Sequence, residues 1–157
     1  MARETLLKHI PIPAGNIFKI QGEADPVSEA ARYSEVVSHY VNPNKGIPQF
    51  DLMMLGLGED GHTASIFPEN IHLFCSDKLF EPAEHPYTKQ NRITATGKII
   101  NHAKSVVIIA TGKSKASKVA QVINQRRGWD RLPVSLVHPE NGELLWLLDQ
   151  QSAFNIK

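Results

Sequence analysis

The residue best placed for chemistry is His62, which ends a glycine-rich acidic loop after an apolar run. This run, from Phe50 to Leu57, is bounded by Pro48 and Gly58 and predicts a strand buried on both faces. Ligands of open α/β sheets bind beyond the carboxyl ends of such strands. Imidazole titrates close to neutral pH, so a histidine at this rim is a candidate general base.

The loop between the predicted strand and the histidine contains two glycines and two carboxylates, and a third glycine lies near the end of the strand. Gly56, Gly58 and Gly61 are predicted to let the backbone turn sharply and to let a ligand approach it closely. Asp60 either orients the imidazole or caps the loop, and its spacing of two residues leaves both roles open. A short helix is predicted from Thr63, and its first N–H groups are candidate donors to an oxyanion or an anionic ligand.

Alternating strands and helices are predicted to position this loop. Asp25–Pro26 is a typical helix start, and the apolar stripe behind it consists of Ala30, Tyr33, Val37, Tyr40 and Val41. Further strands are predicted at 16–20, 91–96, 105–111, 133–137 and 143–148, and further helices at 2–9, 98–103 and 114–126. Residues 70–90 are predicted as a long surface loop or lid, and Asp149 as the cap of a short terminal helix. The alternation predicts an α/β fold with a mainly parallel sheet, in one domain over residues 1–157.

The segment from Phe50 to Pro68 resembles the signature of the 6-phosphogluconolactonase family. The matching positions are Asp51, Leu55–Gly56, Gly58, Asp60–Thr63, Ser65 and Phe67–Pro68. Glucosamine-6-phosphate deaminases share the strand and the Asp-Gly-His turn, but the run from Thr63 to Pro68 differs from theirs and favours the lactonases. The resemblance implies a Rossmann-like, mainly parallel sheet flanked by helices.

The resemblance covers the whole chain, which aligns with the C-terminal two thirds of a 6-phosphogluconolactonase. Other matching positions are Ile10–Pro13, Asp25–Pro26, Arg92–Thr94, Asn101, Gly112 with Lys115, Leu132–Pro133, Trp146 and Asp149. The family's serine-glycine-glycine phosphate loop and its first strands have no counterpart in the sequence. We therefore expect an N-terminally truncated domain, whose sheet exposes an edge through which the chain could self-associate.

The resemblance implies hydrolysis of 6-phosphogluconolactone to 6-phosphogluconate, a carboxylic ester hydrolysis of the pentose phosphate pathway. His62 is then the general base that activates water, and Asp60 is the second catalytic residue. Gly58 and Gly61 are expected at the substrate, with Arg92 and Lys115 as candidate phosphate ligands. No cofactor or metal is implied, because the seven histidines are scattered and no HExxH or paired-cysteine spacing occurs.

Two alternatives remain open on the sequence alone. A deaminating isomerase of the same fold would release ammonia from glucosamine 6-phosphate. A non-catalytic fragment would bind a sugar phosphate or a partner chain without turnover, and the absent phosphate loop keeps this alternative open.

The amino-acid composition indicates which kinds of partner and which cellular compartment to expect. With 17 Lys and Arg against 16 Asp and Glu, the formal net charge of +1 predicts binding to neither nucleic acid nor a membrane surface. A single cysteine, Cys75, excludes an intrachain disulfide and indicates a reducing compartment. No apolar stretch approaches the ~18 residues of a membrane-spanning helix, so the cytoplasm is the expected location.

Overall fold

The computed structural model describes residues 2–157. The helices are α1 (Ala2–Thr5), α2 (Pro26–Tyr40), α3 (Gly97–Ile100) and α4 (Ala116–Ile123). The strands are β1 (Pro43–Asn44), β2 (Ile47–Pro48), β3 (Met53–Gly56), β4 (Phe80–Glu84), β5 (Asn91–Ala95), β6 (Ser105–Ala110) and β7 (Glu143–Leu148). Short 3₁₀ helices lie at Leu7–His9, Ala14–Asn16, Pro68–Cys75, Lys113–Lys115, Trp129–Arg131 and Pro133–Leu136.

The main sheet has the order β3-β6-β7, and both of its strand pairs are parallel. Met53 lies opposite Val106, which in turn lies opposite Leu144. The pairs β1-β2 and β4-β5 form small antiparallel ladders. This arrangement confirms the predicted α/β class with a mainly parallel sheet flanked by helices.

The hydrophobic core fills one face of the main sheet. Its fully buried members include Val106 and Ile108 of β6, Ile100 of α3 and Val119 of α4. A second cluster packs α2 against the β4-β5 pair through Ala30, Val37, Phe80 and Ile99. Phe50 and Ala95 contact both clusters and join them.

The other face of the main sheet is partly open to solvent in the described structure: Met54 and Leu145 are exposed there, while Val107 between them is buried. The predicted burial of the 50–57 strand on both faces is therefore wrong: Leu55 is 9% exposed, whereas its neighbour Met54 is 62% exposed. The apolar run predicted two buried faces because residues on both faces are hydrophobic. Among residues 2–157, helices and loops cover only one of them.

Helix α2 confirms its predicted start. The Asp25 carboxylate accepts a hydrogen bond from the Ser28 N–H at 2.9 Å, and Pro26 occupies the first turn, where its missing N–H is harmless. Of the predicted stripe, Tyr40 is exposed rather than buried, and its ring lies 4.2 Å from that of Phe18.

Several other predicted elements differ from the structure. No strand forms at 16–20, and residues 133–137 form a 3₁₀ helix instead of a strand, because the N–H groups of Ser135 and Val137 bond to carbonyls three residues back. The predicted loop at 70–90 contains strand β4, and the segment after Asp149 forms turns rather than a helix. The 2–9 helix is broken at Leu6, where φ is −131°. Apart from the short helix predicted from Thr63, the remaining predicted elements are found, the 143–148 strand at its full length and the others with ends that differ by a few residues.

Candidate active site

The loop that carries the histidine closes on itself directly after β3. The Gly58 N–H donates to the His62 carbonyl at 2.8 Å, and the Gly61 N–H donates to the Gly58 carbonyl at 3.1 Å. At the start of the loop, the Thr63 hydroxyl donates to the Gly56 carbonyl at 3.0 Å. These bonds fix His62 at the carboxyl end of the strand, as the sequence predicts.

Asp60 and His62 form a hydrogen-bonded pair. One carboxylate oxygen of Asp60 lies 2.7 Å from Nδ1 of His62 and 3.0 Å from the His62 backbone nitrogen. About 30% of each side chain stays exposed. The same carboxylate therefore contacts the imidazole and caps the turn, so both roles that the sequence left open are compatible with these contacts.

The charge of the Asp60 carboxyl follows from the same contacts. Partial burial raises the pKa of the Asp60 carboxyl, but the hydrogen bonds and the charge of His62 outweigh it and hold that pKa below its ordinary value. An ionised carboxylate only accepts hydrogen bonds, so we assign the ring proton to Nδ1 of His62. When the imidazole is neutral, a proton on Nδ1 leaves the lone pair of Nε2 available to take a proton from water.

Two glycines are required by close packing around the pair. A Cβ at Gly58 would lie 2.1 Å from Nδ1 of His62, so any larger residue there would displace the imidazole. Gly61 has a φ of +94°, and a Cβ there would lie 2.8 Å from a methyl carbon of Leu132. These contacts give both glycines a structural reason, while their expected contacts with substrate remain a prediction.

The helix predicted from Thr63 is absent. Residues 63–66 form a tight turn, in which Thr63 and Ile66 exchange backbone hydrogen bonds of 3.3 and 2.9 Å. The N–H of His62 is already bonded to Asp60, and the N–H of Ser65 donates to Thr94 at 3.1 Å. The predicted helix start after Gly61 is therefore wrong, and an oxyanion contact from the N–H groups of this turn stays a prediction.

A distant segment of the chain supports the loop from outside. The Val134 N–H donates to the Gly61 carbonyl at 3.2 Å, and the adjacent Leu132 packs against the same glycine. The sequence analysis missed this contact, because nothing in a local pattern shows which backbone groups of residues 133–137 meet the loop.

Lys115 lies beside the loop, as its expected role requires. It follows Gly112, whose φ is +89° and whose N–H donates to both carboxylate oxygens of Asp149 at 3.1 and 3.0 Å. Nζ of Lys115 lies 3.9 Å from a carboxylate oxygen of Glu59, and 22% of the lysine side chain is exposed. Glu59 is thus a further residue of the site, which the sequence analysis did not single out.

Arg92 belongs to a strand that touches the loop. On β5, Thr94 accepts from the Ser65 N–H, and Arg92 lies on the same face of β5 about 7 Å away along the strand. Its guanidinium donates to Gln90 at 3.2 Å, while its Nε is buried without a hydrogen-bond partner. A buried donor without an acceptor is costly, and an anionic ligand would reach this nitrogen only if the side chain moved.

An aromatic ring separates the pair from a neighbouring cleft. The centroid of the Phe67 ring lies 4.5 Å from that of the His62 ring and 5.0 Å from that of the His85 ring. Phe67 lines a cleft of about 700 Å³ together with Pro26, Glu69, Asn70, Glu84, Lys89 and others. His62, Asp60 and Lys115 do not line this cleft. In the described structure the His–Asp pair therefore lies outside the cleft, with about 30% of each side chain exposed to solvent.

Residues 2–157 contain neither a cluster of metal-ligating side chains nor a membrane-spanning helix. No group of three or more His, Cys, Asp or Glu side chains there is placed to hold a metal ion. None of the helices described is both long and apolar enough to cross a membrane.

The sequence is similar to proteins of a known family. The sequence profile of the glucosamine-6-phosphate isomerases/6-phosphogluconolactonase family matches residues 1–146. The 6-phosphogluconolactonase of Synechocystis sp. is 36% identical over 159 residues, which cover 100% of this chain and 65% of the relative. The human 6-phosphogluconolactonase is 36% identical over 96% of this chain and 58% of its own length.

A solved structure shows the same fold. The crystal structure of the devB protein superposes with a TM-score of 0.90 at 34% identity, and the match covers 99% of this chain and 65% of that one. The chain thus spans less than two thirds of the length of each of these proteins.

Proposed function

The chain belongs to the family of glucosamine-6-phosphate isomerases and 6-phosphogluconolactonases, and from this premise we propose that it carries the catalytic pair of a 6-phosphogluconolactonase. The observation that carries the proposal is the 2.7 Å contact between Asp60 and His62, on the segment that resembles the lactonase signature. The proposed reaction is hydrolysis of 6-phosphogluconolactone to 6-phosphogluconate in the pentose phosphate pathway.

The proposed mechanism follows from the orientation of the imidazole. Nε2 of His62 takes a proton from water while the water oxygen bonds to the lactone carbonyl carbon, and Asp60 stabilises the imidazolium that forms. The tetrahedral intermediate then collapses, and the bond between the carbonyl carbon and the ring oxygen breaks. The imidazolium returns its proton to that ring oxygen, which becomes a hydroxyl group, and the product carboxyl group ionises.

Two cations are proposed to bind the substrate phosphate. Lys115 supplies a point charge beside the loop, and Arg92 supplies a guanidinium whose Nε lacks an acceptor. Gly58 and Gly61 are proposed to let the lactone approach the backbone of the loop. We further propose that the chain acts in the cytoplasm on this small molecule. We also propose that it binds no nucleic acid, because its net charge is only +1.

Turnover of two substrates tests the proposal. The chain is incubated with freshly prepared 6-phosphogluconolactone, with product measured by coupled 6-phosphogluconate dehydrogenase after subtraction of spontaneous hydrolysis. In parallel it is incubated with glucosamine 6-phosphate, with ammonia as the readout. We expect lactone turnover and no ammonia; ammonia release without lactone turnover would contradict the proposal and favour the deaminase alternative.

The position of the His–Asp pair outside the cleft favours a second candidate, a non-catalytic domain that binds a sugar phosphate. The His–Asp pair does not line the 700 Å³ cleft, and the chain spans 65% of its Synechocystis relative. This candidate predicts binding of 6-phosphogluconate, measured by calorimetry, without acceleration of lactone hydrolysis. Lys115→Ala should weaken that binding under either candidate, whereas turnover distinguishes the two.

A further inference from the structure

The three strands of the main sheet bring their following segments to the same end of the sheet. Ala110, at the end of β6, lies opposite Leu148, at the end of β7. Residues 112–115, which follow β6 and end at Lys115, are called the lysine turn below. Asp149 is the first residue after β7, and the loop of His62 follows β3 on the other side of β6. Asp149 and the loop of His62 therefore flank the lysine turn.

The carboxylate of Asp149 holds the first residue of the lysine turn. The Gly112 N–H donates to its two oxygens at 3.1 and 3.0 Å, and the Ser152 N–H donates to one of the same oxygens at 2.8 Å. Ser152 is fully buried, and its hydroxyl donates to the Ala110 carbonyl at 2.7 Å. The carboxylate is thereby fixed relative to the ends of both β6 and β7.

The backbone of Gly112 has a conformation that is essentially restricted to glycine. Its φ is +89° and its ψ is 154°. The Lys115 N–H donates to the Gly112 carbonyl at 3.2 Å and closes the lysine turn. Because Asp149 holds the N–H of Gly112 and Lys115 holds its carbonyl, the direction of the turn depends on both bonds.

The lysine turn places the side chain of Lys115 beside the loop of His62. Nζ of Lys115 lies 3.9 Å from a carboxylate oxygen of Glu59, and 22% of the lysine side chain is exposed. A free lysine side chain has many rotamers, and ordering them on binding costs affinity. A turn that already holds the lysine at the site reduces this cost for an anionic ligand.

Asp149 is suited to this contact because it stays ionised. The hydrogen bond from the Ser152 N–H is the main cause that holds the pKa of the Asp149 carboxyl below its ordinary value. An ionised carboxylate accepts hydrogen bonds at both oxygens and donates none. The three bonds from the N–H groups of Gly112 and Ser152 use this property.

We infer that Asp149 is a positioning residue for substrate phosphate, because it fixes the lysine turn through the Gly112 N–H and so holds Lys115 at the loop of His62. This role rests on the proposed function, in which Lys115 binds the phosphate. The carboxylate has the same sign of charge as the phosphate, so its contribution comes from geometry and not from charge. Neutralising Asp149 should therefore weaken phosphate binding, whereas electrostatic repulsion alone predicts the opposite.

Asp149→Asn tests the inference. The amide keeps the size of the side chain, but in either orientation its NH₂ group faces the Gly112 N–H. Binding of 6-phosphogluconate is measured by calorimetry, and we expect Kd to rise about five- to tenfold. An unchanged or lower Kd in the folded variant would overturn the inference.

A double-mutant cycle with Lys115→Ala separates positioning from general destabilisation. If Asp149 acts through Lys115, the double variant should bind 6-phosphogluconate no more weakly than Lys115→Ala alone. Additive losses would overturn the inference and leave the phosphate role of Lys115 intact. Equal binding by Lys115→Ala and the unaltered chain, or no binding by either, would overturn that role and this inference with it.

Two further measurements do not depend on the Asp149→Asn variant binding the ligand or folding. Gly112→Ala meets no atom within 4 Å of the new Cβ, so it disturbs only the backbone of the turn and should raise Kd by a similar factor. In the unliganded Asp149→Asn protein, amide hydrogens of the lysine turn should exchange faster while those of β3 keep their protection. The exposed Asp77→Asn is the matched control and should change neither Kd nor exchange. Wild-type Kd in Gly112→Ala, or unchanged exchange of the lysine turn in Asp149→Asn, would overturn the inference.

Discussion

At the scale of single residues, Asp60 determines which nitrogen of His62 is free. Its carboxylate accepts from Nδ1 and from the backbone N–H of the same histidine, so one side chain fixes both the ring and the turn. A charged acceptor at Nδ1 also stabilises the imidazolium that water activation creates. The proposed activity therefore depends on the charge of Asp60 as well as on its shape.

Asp60→Asn tests that dependence. The amide keeps the size of the carboxylate but has no charge, so the imidazolium loses its stabilisation and Nδ1 loses its preferred proton acceptor. We expect kcat for lactone hydrolysis to fall by about 10²-fold with KM nearly unchanged. An unchanged kcat in a folded variant would mean that Asp60 only shapes the loop.

Gly58→Ala tests the close packing around the histidine. Since the new Cβ would lie 2.1 Å from Nδ1, the ring must leave its position, and we expect kcat to fall by about 10²-fold. Gly15→Ala is the matched control, because nothing lies within 4 Å of a Cβ there. Equal activity of the two variants would refute the geometry assigned to His62.

Glu59→Gln tests the electrostatic effect of the loop on Lys115. The carboxylate lies 3.9 Å from Nζ and opposes the approach of a phosphate, so its neutralisation should lower KM by about two- to fivefold, with kcat unchanged. The exposed Glu140→Gln serves as the control. A raised KM would show that Glu59 holds Lys115 in place for the substrate.

At the scale of elements, the loop is held by parts of the chain that are distant in sequence. The sequence predicted α2, α4 and the strands β3, β5, β6 and β7, because their apolar patterns and end signals are local. It did not predict that residues 132–134 support Gly61, or that β4 lies within the presumed lid. Those features depend on contacts between distant segments.

Helix α2 is attached to the preceding segment by a buried carboxylate. Glu29, 2% exposed, accepts from Arg32 and from the Gln21 N–H at 2.7 Å. The hydrogen bond from Arg32 is the main cause, and despite the opposing effect of burial the pKa of Glu29 falls to about 2. This contact stabilises the fold only while Glu29 is ionised.

Acid unfolding of Glu29→Gln tests this contact. Because the folded pKa lies below the unfolded value of 4.5, the contribution of Glu29 is complete above that value and is lost as the pH falls towards 2. We expect the free energy of unfolding to fall less steeply with decreasing pH in the variant, by urea denaturation between pH 5 and 2.5. Identical slopes for the two proteins would contradict the prediction.

At the scale of the whole molecule, the candidate site is only partly enclosed. The His–Asp pair, Lys115 and Glu59 meet at one loop. One face of the main sheet, which carries Met54 and Leu145, is exposed to solvent. The sequence predicted the free sheet edge. It could not predict the exposed face, because an apolar strand has the same pattern whether or not a neighbour covers it.

The rate of 6-phosphogluconolactone hydrolysis by the chain and by its His62→Ala variant shows most directly whether His62 is the general base. The matched control is His138→Ala, an exposed histidine outside the loop. We predict that His62→Ala lowers kcat by about 10²- to 10⁴-fold and that His138→Ala leaves it unchanged. Hydrolysis by His62→Ala at the rate of the unaltered chain would contradict the assignment of His62 as the general base.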